Sequence, residues 1–258
     1  TNPLCVKLNR MSNKESIVRN LDRVRERMAA AARLAGRTPD EITLVAVSKT
    51  HPVHTVEEAY RAGVRDFGEN RVHEANAKIP SFQERVDSGE LVRWHMIGHL
   101  QRRKARFAVA LFDMIHSVDS LRLAERINRM AKEYEKTVPV LLEVNVSGEA
   151  SKHGYDLSSA GGSGDHTAFV SEVEQMLALP FLQVQGLMTM APVVTCPDQA
   201  RPFFVAVREL RDDLARRFPS AGWQHLSMGM TDDFEPAIEE GATIVRIGRA
   251  IFGERKLV

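Results

Sequence analysis

Residues 42–50 read ITLVAVSKT, and this short stretch decides the fold that the sequence predicts. It is apolar and rich in β-branched residues, and Pro39 and Pro52 lie on either side of it. That pattern is typical of a strand with both faces buried. Lys49 closes the stretch, at the end of the strand where parallel α/β proteins place their chemistry. The alternative is that Lys49 is simply the first solvated residue after the strand, because lysine is rarely buried.

Seven more strand-like runs follow, and helical patterns separate them. They are residues 64–68, 91–97, 112–118, 138–146, 182–188, 223–227 and 242–247. Strands that alternate with helices predict a parallel sheet. Eight such units in a chain of 258 residues predict a single (β/α)8 TIM barrel. The alternative is a doubly wound open sheet, which does not usually alternate so evenly through eight units.

Two segments outside this alternation carry predictions of their own. Apolar residues recur at helical spacing from Ile17 to Ala31, so an additional N-terminal helix is expected to begin near Ser12. Residues 1–11 are expected to be a disordered extension, which leaves 12–258 as one domain. Residues 147–166 are irregular and contain a Gly-rich part at 158–166, which predicts a mobile loop.

The composition excludes several classes of protein. The net charge is +1, so no overall field favours nucleic acid or a membrane surface. No apolar run approaches the length of a membrane span. The two cysteines, Cys5 and Cys196, form neither a disulfide framework nor a metal-binding spacing. A cytoplasmic protein is expected, as a monomer or weak dimer.

The ends of the seventh and eighth strands have the residue types of a phosphate site. Residues 227–231 read SMGMT, and hydroxyl and small residues before a helix can bind an anion. Gly248 follows the eighth strand and lets the backbone approach a ligand. An ordinary N-cap with two turns is the alternative. A strand-end lysine combined with a phosphate site suits a phosphorylated aldehyde, and pyridoxal 5′-phosphate (PLP) is the obvious candidate.

Several longer motifs occur in one order between Leu44 and Gly253. They are LVAVSKTHP, FGENRVHEA, WHMIGHLQRRKA, HSVDS, LEVNVSGEASKHG, GLMTMAP and LSMGMTDDFEPAIEEGATIVRIGRAIFG. In these motifs the chain resembles the pyridoxal-phosphate-binding homeostasis protein family, also called the YggS/PROSC family. The resemblance implies the barrel of the N-terminal part of alanine racemase, without the second, β-rich domain of that enzyme.

The resemblance also implies roles for individual residues. Lys49 would form the Schiff base, Arg246 would face the pyridine nitrogen, and Gly248 would be a second phosphate contact. With the seventh loop included, the predicted cofactor-binding residues are Lys49, Asn70, Met188, Ser227, Gly229, Thr231, Arg246 and Gly248. No catalytic or metal-binding residue is predicted. The chain departs from the family at Arg102-Arg103 and in the Gly-rich loop, which concerns the rim of the pocket.

Arg246 bears on the predicted activity. An arginine only donates hydrogen bonds, so it favours an unprotonated pyridine nitrogen and weakens the ring as an electron sink. None of the three tyrosines has an evident place opposite Lys49, and no second domain is expected. The sequence therefore predicts a non-enzyme, a PLP carrier or buffer in vitamin B6 homeostasis that supplies apo-enzymes. The alternatives are a PLP-dependent amino-acid racemase or lyase, and a barrel that binds a sugar phosphate.

Overall fold

The computed structural model describes residues 3–86, 91–149, 151–158 and 162–254. All eight predicted strands are present. The strands are β1 (Thr43–Val47), β2 (Asp66–Glu69), β3 (Arg93–Met96), β4 (Met114–Val118), β5 (Val138–Asn145), β6 (Tyr155–Asp156), β7 (Leu182–Met188), β8 (His225–Ser227) and β9 (Ile244–Ile247). The short strand β6 was not predicted, and it lies within the stretch expected to be irregular.

The strands form a closed parallel barrel. Their order is β4-β3-β2-β1-β9-β8-β7-β5, and a further pairing between β4 and β5 closes the ring. Strand β6 lies outside the ring, and among the described strands its partner is β5. Closure excludes the open-sheet alternative and confirms the predicted barrel. It also brings the C-terminal ends of all eight barrel strands to one mouth.

Helices surround the barrel, and one of them precedes it as predicted. They are α1 (Pro3–Leu34), α2 (Val53–Arg61), α3 (Val72–Gln83), α4 (Ala105–Leu111), α5 (Leu121–Glu133), α6 (Gly162–Leu177), α7 (Arg201–Arg217), α8 (Phe234–Glu239) and α9 (Arg249–Phe252). Helix α1 packs on α8 and α9, and its Ile17, Leu21 and Val24 are buried. None of the helices in the described part of the chain combines the length and apolarity that crossing a bilayer requires.

Two helix boundaries differ from the expected ones. Helix α1 starts at Pro3 and not near Ser12. The division into an extension of residues 1–11 and a domain of residues 12–258 stays a prediction. Helix α6 starts at Gly162, so part of the predicted mobile loop is helical, while residues 159–161 lie outside the described residues. A glycine costs a helix only about 1 kcal/mol, which burial of Phe169 and Val173 offsets.

The core has two parts. A large apolar cluster fills the space between strands and helices, and a small one lies inside the barrel. The inner cluster consists of Val45, Leu141, Met188 and Ile244, with Met114 and Met190 packed against it. These side chains fill one part of the interior below the mouth, so the barrel is a packed core there and not a pore.

Candidate functional site

A cavity of about 480 Å³ opens at the C-terminal ends of β1, β2, β8 and β9. Its walls carry a lysine, two arginines and several polar groups. The lining residues are Val47, Lys49, His51, Asn70, Ile97, Met190, Met230, Thr231, Asp232, Arg246, Gly248, Arg249, Gly253 and Glu254. Five of the eight residues predicted to bind cofactor are in this set: Lys49, Asn70, Thr231, Arg246 and Gly248.

The backbone that follows Lys49 is held in an unusual conformation. Thr50 has a φ of 66°, which is rare for a β-branched residue and costs about 1–3 kcal/mol. Glu74 on α3 accepts a hydrogen bond from the Thr50 N–H at 2.5 Å. Burial raises the pKa of Glu74, but the hydrogen bonds from Lys78 and the Thr50 N–H outweigh it and lower the pKa overall. This carboxylate therefore fixes the turn from which Lys49 extends into the cavity.

A second lysine lies close to the same turn but has another role. Lys78 is buried, and its Nζ donates to Glu69 Oε1 at 2.6 Å, Ser48 O at 2.7 Å and Glu74 Oε1 at 2.8 Å. All three donors of that ammonium are used. Lys78 therefore supports the end of β1 from below, whereas Lys49 lines the cavity.

The predicted phosphate residues Thr231 and Gly248 lie at one side of the cavity. Thr231 Oγ1 accepts a long hydrogen bond, 3.4 Å, from the Ala250 N–H in α9. A Cβ at Gly248 would lie 3.2 Å from Val47 O, so a larger residue would crowd the end of β1. Arg249 and Asp232 form an ion pair at the rim. This side of the cavity offers the Thr231 hydroxyl, the backbone at Gly248 and the Arg249 guanidinium. Hydroxyl, backbone N–H and guanidinium groups are the groups that bind phosphate.

Three predicted residues lie behind the cavity wall. Met188 belongs to the inner apolar cluster, and Ser227 is fully buried. Gly229 has a φ of 91°, and a Cβ there would lie 2.6 Å from that of Ala237. Gly229 thus allows the seventh loop to pack on α8. Thr231 lines the cavity, whereas the Ser227 hydroxyl lies behind its wall. The two residues nevertheless belong to one short sequence motif.

Arg246 is held in the wall of the cavity by three hydrogen bonds. Its Nη1 donates to Ser227 O and Ser227 Oγ, both at 2.7 Å, and its Nη2 donates to Thr189 O at 2.8 Å. Burial lowers the pKa of Arg246 to about 10, while Asp233 and Glu143 act in the opposite direction. The guanidinium therefore remains charged at neutral pH.

Ser227 continues this network into the barrel. Its Oγ lies 2.9 Å from His116 Nδ1, His116 Nε2 lies 2.9 Å from His95 Nδ1, and His95 Nε2 lies 2.9 Å from Asp66 Oδ1. A carboxylate only accepts, so His95 Nε2 donates to Asp66. With one proton on each ring, His116 Nε2 donates to His95 and the Ser227 hydroxyl donates to His116. All hydrogen bonds of this network therefore point the same way, with each donor on the side of Arg246 and each acceptor on the side of Asp66.

Burial and hydrogen bonding set the charges of the side chains in this network. Burial lowers the pKa of His116 well below its usual value, and His95, Arg246 and His225 add to the effect. Burial raises the pKa of Asp66, but hydrogen bonds from His95 and Arg93 outweigh it and lower the pKa overall. The network therefore connects the neutral His116 to the ionised carboxylate of Asp66 at the opposite end of the barrel.

His116 and Glu143 are buried polar residues of the barrel interior that were not predicted from the sequence. His116 stands within the motif HSVDS, but its partners are 21 and 111 residues away. His95 uses both ring nitrogens in hydrogen bonds to His116 and Asp66, so it is a structural histidine of the barrel interior. Burial raises the pKa of Glu143 to about 7, with a further contribution from Asp119, and its Oε2 has no hydrogen-bond partner in the described part of the chain. An acidic residue within an otherwise apolar strand was the available signal.

The family model of the alanine racemase N-terminal domain matches residues 19–256. A pyridoxal phosphate homeostasis protein of Aquifex aeolicus is 41% identical over 236 residues, which covers 92% of this chain and 97% of that protein. The corresponding protein of Escherichia coli K12 is 42% identical over 243 residues, covering 93% and 97%.

A solved structure agrees with these relatives. PipY of Synechococcus elongatus, solved with PLP bound, has a TM-score of 0.74 and 36% identity, and covers 89% of this chain and 100% of its own. Since the matches extend over most of both partners, they concern the whole barrel and not one motif. The chain therefore belongs to the pyridoxal phosphate homeostasis protein family, within the wider alanine racemase N-terminal domain family.

Proposed function

We propose that the chain binds PLP in the described cavity and acts as a cytoplasmic carrier or buffer of this cofactor in vitamin B6 homeostasis. The observation that carries the proposal is that Lys49 lines the same cavity as Thr231 and Gly248. The cofactor has an aldehyde that an amine can hold and a phosphate that hydroxyl and backbone groups can hold. PipY, solved with PLP, supports the same cofactor for this barrel.

The residues of the cavity fit such a ligand. Asn70 Oδ1 is buried and has no hydrogen-bond partner among the described residues, and such a group is costly unless a ligand or water satisfies it. Gly248 leaves room where a Cβ would crowd Val47 O. The volume of about 480 Å³ lies within the usual range for small-molecule sites.

Each residue then has a distinct task. Lys49 holds the aldehyde as a Schiff base, which masks a group that would otherwise react with other amines. Thr231 and the backbone at Gly248 hold the phosphate. Arg246 presents its charge to the ring, and Ser227 positions Arg246 through two hydrogen bonds. Gly229 shapes the loop, and Met188 supports the floor from inside the barrel.

Arg246 favours a carrier over an enzyme. When bound, PLP supplies electron withdrawal that depends on a protonated ring nitrogen, and an arginine beside that nitrogen only donates. The cavity wall does contain His51, whose ring packs against Phe252 at 4.9 Å between centroids. A racemase or lyase in which Lys49 and His51 exchange protons is the second candidate.

The first experiment locates the cofactor. The purified chain is loaded with PLP, reduced with borohydride and mapped by peptide mass spectrometry, beside Lys49→Ala and Lys132→Ala as an exposed control. The adduct is expected on Lys49 alone, and Lys132→Ala should load normally. An adduct on other lysines in the unaltered chain would refute the assignment.

The second experiment separates carrier from enzyme. The loaded chain is mixed with an apo-enzyme that needs PLP, and recovery of that enzyme's activity is followed. In parallel the loaded chain is incubated with single enantiomers of alanine and other amino acids. Activation of the apo-enzyme without amino-acid conversion supports the carrier. Turnover on the order of 1 s⁻¹ that disappears in Lys49→Ala would identify an enzyme instead.

A further inference from the structure

Three side chains with metal-binding chemistry meet at the mouth, away from the phosphate side of the cavity. His99 follows β3, Asp119 directly follows β4, and His153 lies between β5 and β6. One ligand atom from each lies within 4.8 Å of the other two. Strands β3, β4 and β5 are neighbours in the barrel, whereas Thr231 and Gly248 follow β8 and β9. The cluster is thus separate in the fold from the proposed phosphate site.

The distances are close to those of a coordination sphere. His99 Nδ1 lies 3.1 Å from Asp119 Oδ2. Two ligands bound to one tetrahedral zinc at about 2.0–2.1 Å are roughly 3.3 Å apart, so this pair already has a suitable separation. The rings of His99 and His153 are stacked, with centroids 3.9 Å apart and an angle of 16° between planes. A modest rotation of His153 would direct its nitrogen to the same point.

The surroundings hold these groups without using up their ligand atoms. The Ser120 hydroxyl donates to Asp119 Oδ1 at 3.2 Å, which leaves Oδ2 toward His99. Gly154, next to His153, has a φ of 102°, and a Cβ there would lie 2.7 Å from Glu143 O. That close approach fixes the backbone beside His153 against β5.

The lysine next to His153 already has its own partners. Lys152, adjacent to His153, is paired with Glu149 and donates to Ser147 Oγ at 3.0 Å, so its charge is compensated. The Asp119 carboxylate contributes a negative charge to the cluster itself. The side chains of His99 and Asp119 are 38% and 17% exposed, which lets an ion enter from solvent.

We propose that His99, Asp119 and His153 form a zinc site at the mouth of the barrel. Two imidazoles and a carboxylate are ligands that zinc commonly takes, and three protein ligands leave a fourth position for water. Such an ion ties together the loops after β3, β4 and β5. It therefore stabilises this side of the mouth, next to the cavity that Asn70 lines.

Zinc titration of the full chain, prepared without an affinity tag and freed of unbound PLP, tests the proposal. Calorimetry is expected to show one zinc per chain, and saturating zinc should raise the Tm because it binds the folded state. His99→Gln, His153→Gln and Asp119→Asn should each weaken zinc affinity by at least about tenfold and reduce the Tm shift. Their Tm values without zinc serve as the folding check.

Two matched variants make the result specific. His54→Gln removes an exposed histidine on α2 and should leave zinc affinity unchanged. Cys196→Ser removes an exposed thiol and should do the same. Absence of stoichiometric zinc binding would overturn the proposal and leave a contact between His99 and Asp119 with the His153 ring stacked on it. Binding that survives all three cluster variants, or that is lost with Cys196→Ser, would overturn it as well.

Discussion

The interior of the barrel has an apolar part and a polar part, and they position the site in different ways. The apolar part consists of Val45, Leu141, Met188 and Ile244. The polar part is one hydrogen-bonded chain through Asp66, His95, His116, Ser227 and Arg246. Apolar packing depends on volume and tolerates changes of shape, whereas hydrogen bonds have direction. The polar part can therefore hold the Arg246 guanidinium in one orientation in the cavity wall, which apolar packing cannot do.

The polar part is also the more vulnerable. Buried hydrogen-bonding groups contribute little net stability while paired, but leaving one unpaired costs its full desolvation energy. At the far end of the chain, Arg93 pairs with Asp66 at 2.7 Å and is half exposed. The network therefore extends from solvent at the base of the barrel to the cavity at its mouth.

The largest difference between the two parts is expected from Arg246→Met and Met188→Leu. Arg246→Met removes the donor to Thr189 O and to Ser227 Oγ, whereas Ser227 O still accepts from the Thr189 N–H at 3.1 Å. The change should lower the free energy of unfolding by about 3–5 kcal/mol. Met188→Leu keeps its volume and should cost less than about 1.5 kcal/mol. Urea denaturation with unchanged m-values measures both. Equal losses would mean that the polar part has no special sensitivity.

The next effect concerns pH and His116. Its pKa is depressed in the folded state, so below about pH 6.5 the unfolded chain takes up a proton that the folded chain does not. Stability should therefore fall as the pH drops below about 6.5, by at most about 1.4 kcal/mol per pH unit for one proton. The groups facing His116 are His95, Ser227, Arg246 and His225.

Denaturation at several pH values compares the unaltered chain with His116→Asn. The variant should lose this part of the slope, whereas His54→Asn on the exposed face of α2 should keep it. A slope that is the same in all three proteins would show that His116 titrates alike in folded and unfolded states.

Ser227→Ala should have a smaller effect within the polar part. It removes the donor to His116 Nδ1 and one acceptor of Arg246, while the Ser227 carbonyl still accepts from Nη1. A loss of about 1–2 kcal/mol in unfolding free energy is expected. Affinity for unphosphorylated pyridoxal and for PLP should fall by similar factors, because the change acts through Arg246. A selective loss for PLP would place the Ser227 hydroxyl at the phosphate.

Thr231→Ala should have the smallest effect on stability, below about 0.5 kcal/mol, because the residue is only partly buried. Thr231 lines the cavity, and a hydrogen bond from its hydroxyl to a charged group would be worth about 1.5–3 kcal/mol. PLP affinity should therefore fall about tenfold or more, with little change for unphosphorylated pyridoxal. Binding titrations of both ligands make the test, and equal losses would contradict the phosphate role.

Much of the fold could be predicted because its signals are local. Each strand appears as a short apolar run between turn residues, and the order of strands and helices predicts a barrel. The exceptions have local causes too. Strand β6 is only two residues long, and the glycines at the start of α6 obscured a helix that the burial of Phe169 supports.

The candidate site could be predicted in part. Lys49 and Gly248 lie where strand ends place them, and both line the cavity. The separate positions of Ser227 and Thr231 could not be derived from the five-residue motif that contains both. Ser227 is the last residue of β8 and points into the barrel, whereas Thr231 belongs to the loop beyond it.

The sequence by itself determined the barrel and the strand end that carries Lys49, because apolar periodicity and turn residues act over a few neighbouring positions. Only the tertiary structure decided that Ser227 and His116 belong to one interior chain and that His99, Asp119 and His153 meet at the mouth. The physical reason is that closure of the parallel sheet brings together residues as far apart in sequence as the 111 positions between His116 and Ser227. Such contacts produce no periodic pattern in the sequence. Each depends on the register in which neighbouring strands pair, because the register decides which side chains point into the barrel.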